Sequence, residues 1–203
     1  MTDNNTASRT SRLGTIGRRP YLKATGLATA GMAGLAGCLG DGKTGTLATQ
    51  VTDQPGDIAD FDSCVVTIVG MWLGPEGATS GEEEDEAPDG REYHEYDEPQ
   101  QADLVELQDG QTQLVDEREL DVASYEFIQL DIDEIDATLE DGSSATVEVP
   151  GEAPLTFNKR FEIRENTRTV FTADFTPVRR GQTDEYLLQP VPQGINVEYE
   201  DGA

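Results

Sequence analysis

The chain is 203 residues long, with 41 Asp and Glu against 14 Lys and Arg, a formal net charge of −27 and 35% hydrophobic residues. So acidic a surface repels phosphate, which excludes nucleic acid as a direct partner, and it disfavours adsorption to anionic membranes. Length suits one domain, and the Val, Ile, Leu and Phe that recur after residue 45 argue against a disordered acidic chain.

The N-terminal stretch reads Arg18-Arg19-Pro20-Tyr21-Leu22-Lys23, then an uncharged small-residue run from Ala24, then Leu35-Ala36-Gly37-Cys38. A basic segment, a short apolar segment and a small-residue cut site make a secretory signal over residues 1–37. Arg18 and Arg19 followed by Tyr21, Leu22 and Lys23 resemble the twin-arginine export class, departing from it at Gly17, where that pattern has Ser or Thr. Leu35-Ala36-Gly37-Cys38 resembles a lipobox, which implies cleavage before Cys38 and lipid on its thiol. The alternative is a membrane helix over residues 24–40. That run is 17 residues long, below the ~20 needed to span, and holds five glycines. Cleavage removes five bases and one acid and leaves a formal net charge of −31 on 166 residues. The expected location is the extracellular face of the cell membrane, held by lipid on Cys38.

Residues 38–44 form a short tether, and a β domain is expected over 45–200. Residues 46–52 alternate, with Leu47, Thr49 and Val51 on one face, and predict the first strand. Asp53-Gln54-Pro55-Gly56-Asp57 supplies turn chemistry. Residues 63–73 are the most apolar run, with Cys64, Val66, Ile68 and Trp72 on one face and Val65, Val69, Met71 and Leu73 on the other. A strand apolar on both faces is central and covered on both. Residues 74–101 contain Glu82-Glu83-Glu84-Asp85-Glu86 and almost no aliphatic side chain, and read as a disordered acidic insert with an aromatic tail, Tyr93-His94-Glu95-Tyr96.

Strands are then expected at 103–107, at 112–115 after an Asp109-Gly110 turn, and at 125–132. Further strands are expected at 145–149 after Asp141-Gly142, at 155–163, at 168–175, at 186–191 and at 195–199. No amphipathic helix and no internal repeat appears, so eight to ten short strands predict an all-β antiparallel sandwich.

Gly45-Thr46-Leu47 leading to Thr52-Asp53-Gln54-Pro55, the strand with Gly70 and Trp72, Asp103-Leu104-Val105-Glu106-Leu107, and Ser124-Tyr125-Glu126-Phe127-Ile128-Gln129-Leu130 occur in that order. Together they resemble domain-of-unknown-function family 4382 of prokaryotic lipoproteins. The resemblance spans Gly45 to about Pro192, interrupted by the acidic insert. It implies an exported prealbumin-like or immunoglobulin-like sandwich and no known activity. Three lysines in the whole chain, with Asp and Glu dominant, resemble secreted proteins of salt-loving archaea.

The chemistry available is narrow. His94 is the only histidine, which excludes a copper or His–Cys zinc site, and a mobile loop does not hold it beside a nucleophile. No cofactor site, metal site or catalytic set is assigned. Asp131-Ile132-Asp133-Glu134-Ile135-Asp136 carries part of a calcium-loop pattern, but Ile135 and Asp136 stand where an oxygen ligand and a glycine belong. Solvated acids at a strand end are the plainer reading. Asp53 is a metal-ligand candidate, or an acceptor of turn hydrogen bonds. Six bases between Lys159 and Arg180 form an electropositive face or balance neighbouring acids. Cys64, in a core strand, is an inert small apolar side chain. Two classes of function remain. One is a surface module binding a sugar, peptide or envelope partner. The other is an enzyme using carboxylates alone, as glycosidases do, or a calcium-dependent binder.

Overall fold

A computed structural model describes residues 42–54, 56–81, 88–150 and 154–202. The residues read as a signal and an anchor, Arg18, Arg19, Tyr21, Leu22, Lys23 and Cys38, and the acidic run 82–86, lie outside the described residues. Among those described, no helix is long and apolar enough to cross a membrane.

The chain runs β1 (Thr44–Thr52), a short 3₁₀ turn (Asp57–Asp60), β2 (Phe61–Pro75), β3 (Glu92–Asp103) and a second 3₁₀ turn (Leu104–Leu107). Then come β4 (Gln113–Asp121), β5 (Ala123–Leu139), β6 (Thr146–Glu148), β7 (Leu155–Phe157), β8 (Phe161–Ile163), β9 (Thr167–Arg179), β10 (Glu185–Pro190) and β11 (Asn196–Asp201). Six strands form one sheet in the order β4-β1-β9-β10-β6, with β11 also on β9. Five form the second, β3-β2-β5-β7, with β8 also on β5.

The all-β, two-sheet architecture is the one expected. Most pairings are antiparallel, but β1 with β9 and β10 with β6 run parallel. Aromatic rings lock the sheets together. Phe175 of β9 packs on Phe157 of β7 at 5.9 Å, Phe171 meets Phe161 edge-on at 5.2 Å, and Tyr186 of β10 lies 4.6 Å from Phe61. Such pairs add about 0.5–1.5 kcal/mol each beyond the area they bury.

β2 is central, between β3 and β5, as its two apolar faces require. A bulge between Ile68 and Gly70 shifts its register, and every side chain beyond changes face. Cys64, Val66 and Ile68 therefore share the core with Met71 and Leu73, all 0% exposed, and Trp72 turns outward. The expectation that Trp72 lies with Cys64 is corrected by that single extra residue.

Three further expectations are corrected. Residues 92–101, read as part of a disordered insert, form most of β3, with Ala102 and Tyr96 buried. Residues 104–107 are a 3₁₀ turn and not a strand. Asp103 accepts from the N–H of Cys64 at 3.0 Å and of Val105 at 3.1 Å and so begins that turn. Asp109 and Gly110 both take positive φ, 58° and 79°, and the Gln111 N–H donates to the Gln108 carbonyl. This is a mirror-image turn, but it joins the 3₁₀ turn to β4 rather than two strands.

Candidate functional site

The parallel pairing of β1 and β9 sets Thr52 opposite Asp174. The chain leaves β1 at Asp53, so two carboxylates meet at one end of the sheet. Asp53 is 2% exposed and Asp174 0%. Asp174 Oδ1 accepts the Gln54 N–H at 3.0 Å. Asp174 Oδ2 and both carboxylate oxygens of Asp53 have no hydrogen-bond donor apart from the Thr176 hydroxyl, which acts on Asp53. Thr176 lies two residues along β9 from Asp174 and so on the same face. Asp53 was expected to accept turn hydrogen bonds. That part belongs instead to Asp174, 120 residues away.

Close backbone approach seals the pair. A Cβ on Gly194 would stand 1.4 Å from Asp174 Oδ2, so only glycine allows the turn after Val191 to lie on that carboxylate. Burial pushes the Asp53 carboxyl up to about 7; the nearby Thr176 hydroxyl tempers the rise and the Asp174 charge adds to it. Burial also raises Asp174, to about 6, against the Gln54 N–H. Cys64 is a free, fully buried thiol, pushed up to about 12 by burial and by Asp103 and Asp53. It is inert, as expected of a core cysteine.

A second feature is the seam where the edge strands β3 and β4, one from each sheet, run beside each other. A groove of about 530 Å³ is lined there by Tyr96, Asp97, Glu98 and Gln100 of β3 and by Leu114 to Glu117 of β4. Leu114 is 45% exposed, a large apolar side chain on an acidic rim. A second groove, of about 450 Å³, holds His94 and Glu92 opposite Glu119 and Asp121. Between the two sets of β4 residues stands Arg118, gripped by both oxygens of Asp116 at 2.6 Å and lying 5.5 Å over the Tyr96 ring. Gln113 Nε2 donates to the Gln101 carbonyl at 2.6 Å and latches the seam.

His94 sits on this seam in β3, not in a mobile loop. Burial and the Arg118 charge hold its imidazole below the usual range, against Glu92 and Asp116, and its Nε2 has no partner. No Ser or Cys lines either groove. The Tyr96 hydroxyl is also buried without a partner.

The third feature is a row across the outer face of the other sheet, Tyr93–Trp72–Gln129–Thr156, set by strand register. Trp72 lies 4.5 Å from the Tyr93 ring, with the Arg91 guanidinium 4.2 Å over it. Arg91 donates to Gln129, whose Nε2 donates to Thr156 Oγ1 and the Ser80 carbonyl. Tyr93 covers Gly70, where a Cβ would meet its hydroxyl at 2.6 Å, and donates to Asp131. The indole is thus already engaged by a ring and by a guanidinium.

The calcium-loop candidates separate. Asp131, Asp133 and Asp136 lie along extended β5, and Asp131 to Asp136 spans about 17 Å of strand at ~3.4 Å per residue, too far to share one ion. Among the described residues, no group of three or more His, Cys, Asp or Glu stands at metal-binding spacing. Five of the six bases between residues 159 and 180, all but Lys159, are ion-paired, so they make no free electropositive face. Arg160 pairs with Glu126, Arg164 with Glu162, Arg168 with Glu117 and Glu200, Arg179 with Asp60, and Arg180 with Glu148.

The sequence profile of a domain of unknown function, DUF4382, matches residues 44–190. The chain belongs to the DUF4382 family. No curated protein and no solved structure matches it. The span shared with the DUF4382 profile contains both carboxylates of the buried pair and both strands of the seam, and it ends before Gly194 and β11.

Sequence reasoning missed Asp174. The one available signal was a charged residue inside the apolar alternation Val170–Phe171–Ala173–Phe175. An acid there is either exposed or held for a reason.

Proposed function

We propose that this DUF4382 domain is an exported surface module, tethered outside the cell membrane of a high-salt organism by lipid on Cys38, that binds a partner and does not turn over a substrate. The observation that carries the reading is the groove between β3 and β4. Leu114, Val115 and Tyr96 give it apolar walls, and Asp97, Glu98, Asp116 and Glu117 ring it with acid. Asp97 and Glu98 carry no ion pair among the described residues. An apolar floor with an acidic rim suits an extended peptide that alternates aliphatic and basic side chains, and apolar contact survives where salt screens charge.

Catalysis by a carboxylate pair fits less well. Glycosidase carboxyls face a substrate cleft about 5–10 Å apart. Among the described residues, the one buried carboxyl pair is closed over by the turns at Gln54 and Gly194. A sugar platform at Trp72 is disfavoured because Tyr93 and Arg91 already pack on the indole.

A labelled peptide of alternating leucine and lysine, titrated in molar potassium chloride, should bind the wild-type chain. Leu114→Asp should weaken binding about tenfold, since ~1.4 kcal/mol is tenfold, and Asp97→Lys combined with Glu98→Lys should weaken it by less, because molar salt screens the rim charges. Equal affinity for all three proteins would end the reading. The anchor has its own test. Cys38→Ser protein should leave the membrane fraction and remain folded, and retention through alkaline washing would refute the lipid.

A further inference from the structure

We infer that Asp53, Asp174 and Thr176 form a cation site that takes calcium. Four oxygens from three side chains, each at least nine-tenths buried, lie at one end of the β1–β9 pair, and the one donor among them is the Thr176 hydroxyl, which acts on Asp53. Buried polar atoms are almost always satisfied, and four oxygens that share a single donor point to a ligand. All four accept, and only the Thr176 hydroxyl can also donate. Among the described residues, no lysine or arginine acts on either carboxyl. The missing partner is therefore positive.

A proton shared between the carboxyls would satisfy some of these oxygens but leave one buried negative charge without a counter-charge. A divalent ion neutralises both. Calcium takes six to eight oxygens in flexible geometry, including carboxylates and backbone carbonyls, whereas magnesium keeps several waters that a sealed pocket does not admit. The remaining ligands would be carbonyls flanking Asp53 and Gly194, both held against the pair by the same turns. The site lies apart from Asp131, Asp133 and Asp136, and it uses one hydroxyl in place of a third carboxylate.

The experiment is a melting curve of the full chain in molar potassium chloride at pH 7.5, stripped with a chelator and then titrated with calcium or magnesium chloride. Equilibrium dialysis gives stoichiometry. Calcium should bind once per chain with a dissociation constant of about 10⁻⁴–10⁻³ M, the range of extracellular calcium modules. It should raise the melting temperature by about 3–6 °C when roughly tenfold above that constant. Magnesium should do little. Asp53→Asn/Asp174→Asn, of unchanged volume, should lose the response and the bound calcium, and Thr176→Val should weaken both if the double variant fails to fold.

Wild-type indifference to calcium would overturn the site in favour of a shared proton, whatever the stability of the double variant. A calcium response that survives in the double variant would place the ion elsewhere and equally refute it.

Discussion

Asp53 and Asp174 retain protons in the folded chain that the unfolded chain gives up near the ordinary carboxylate range. A group whose folded pKa is raised contributes stability that is fully present below its unfolded value, near 4, and is lost as pH rises through its folded value. Here the window runs from about pH 4 to about 7, as the values for Asp174 and Asp53 set it. In chelator, stability should therefore fall with rising pH across that window, opposite to the usual acid lability. Asp53→Asn should remove much of the slope and leave the chain about 2–4 kcal/mol more stable at pH 8 than wild type. Subtracting the two urea midpoints at each pH isolates the pair from the many surface acids. A difference that does not change with pH would refute it. Half of this site was legible. Asp53 stood out in Thr-Asp-Gln-Pro, but its partner arrived through a parallel pairing of strands more than 120 residues apart, and local periodicity does not encode such a pairing.

At the scale of elements, the apolar runs were read correctly and the bulge was not. Alternation alone places Trp72 with Ile68; one inserted residue reverses it and puts Met71 and Leu73 in the core. β3 was hidden for a different reason. An edge strand packs one face, so its pattern over Glu92–Asp103 shows only Tyr96 and Ala102 as buried apolar positions among acids and glutamines. Its acids protect the edge from pairing with other chains, and they are the same acids that imitate a disordered insert. Deleting residues 76–98 should therefore abolish the cooperative melt. It removes Tyr96 from the core, strips hydrogen bonds from Gly70 to Leu73 and takes Arg91 and Tyr93 off Trp72. Retention of a sharp near-wild-type transition would show that β3 adds nothing to stability. Tyr96→Ala alone should cost about 3 kcal/mol, within the usual range for a buried aromatic.

Across the whole molecule, charge sets the conditions under which the sandwich persists. Seven of the nine bases from Lys43 onward form ion pairs, most of them well exposed. Exposed pairs contribute about 0–1 kcal/mol each, and each ties up one acid among forty. The rest repel. Folding confines those charges on one surface while unfolding spreads them, so self-repulsion works against the compact state. Salt shortens the screening distance from about 8 Å at 0.15 M to about 3 Å at 1 M, less than the typical gap between neighbouring surface acids. It weakens the ion pairs as well, but their total is small beside the repulsion it removes. The melting temperature should therefore rise steeply with potassium chloride up to molar concentrations, and tertiary structure should be lost in dilute buffer. Replacing four exposed acids, Glu95, Glu119, Glu134 and Asp136, by Gln or Asn should shift the curve to lower salt without changing its high-salt plateau, because none of the four is buried. The calcium response of the buried pair should persist on that plateau, where surface charge is screened and a sealed site is not. A melting temperature independent of chloride in both proteins would mean that packing alone holds the domain and that its acidity serves only solubility.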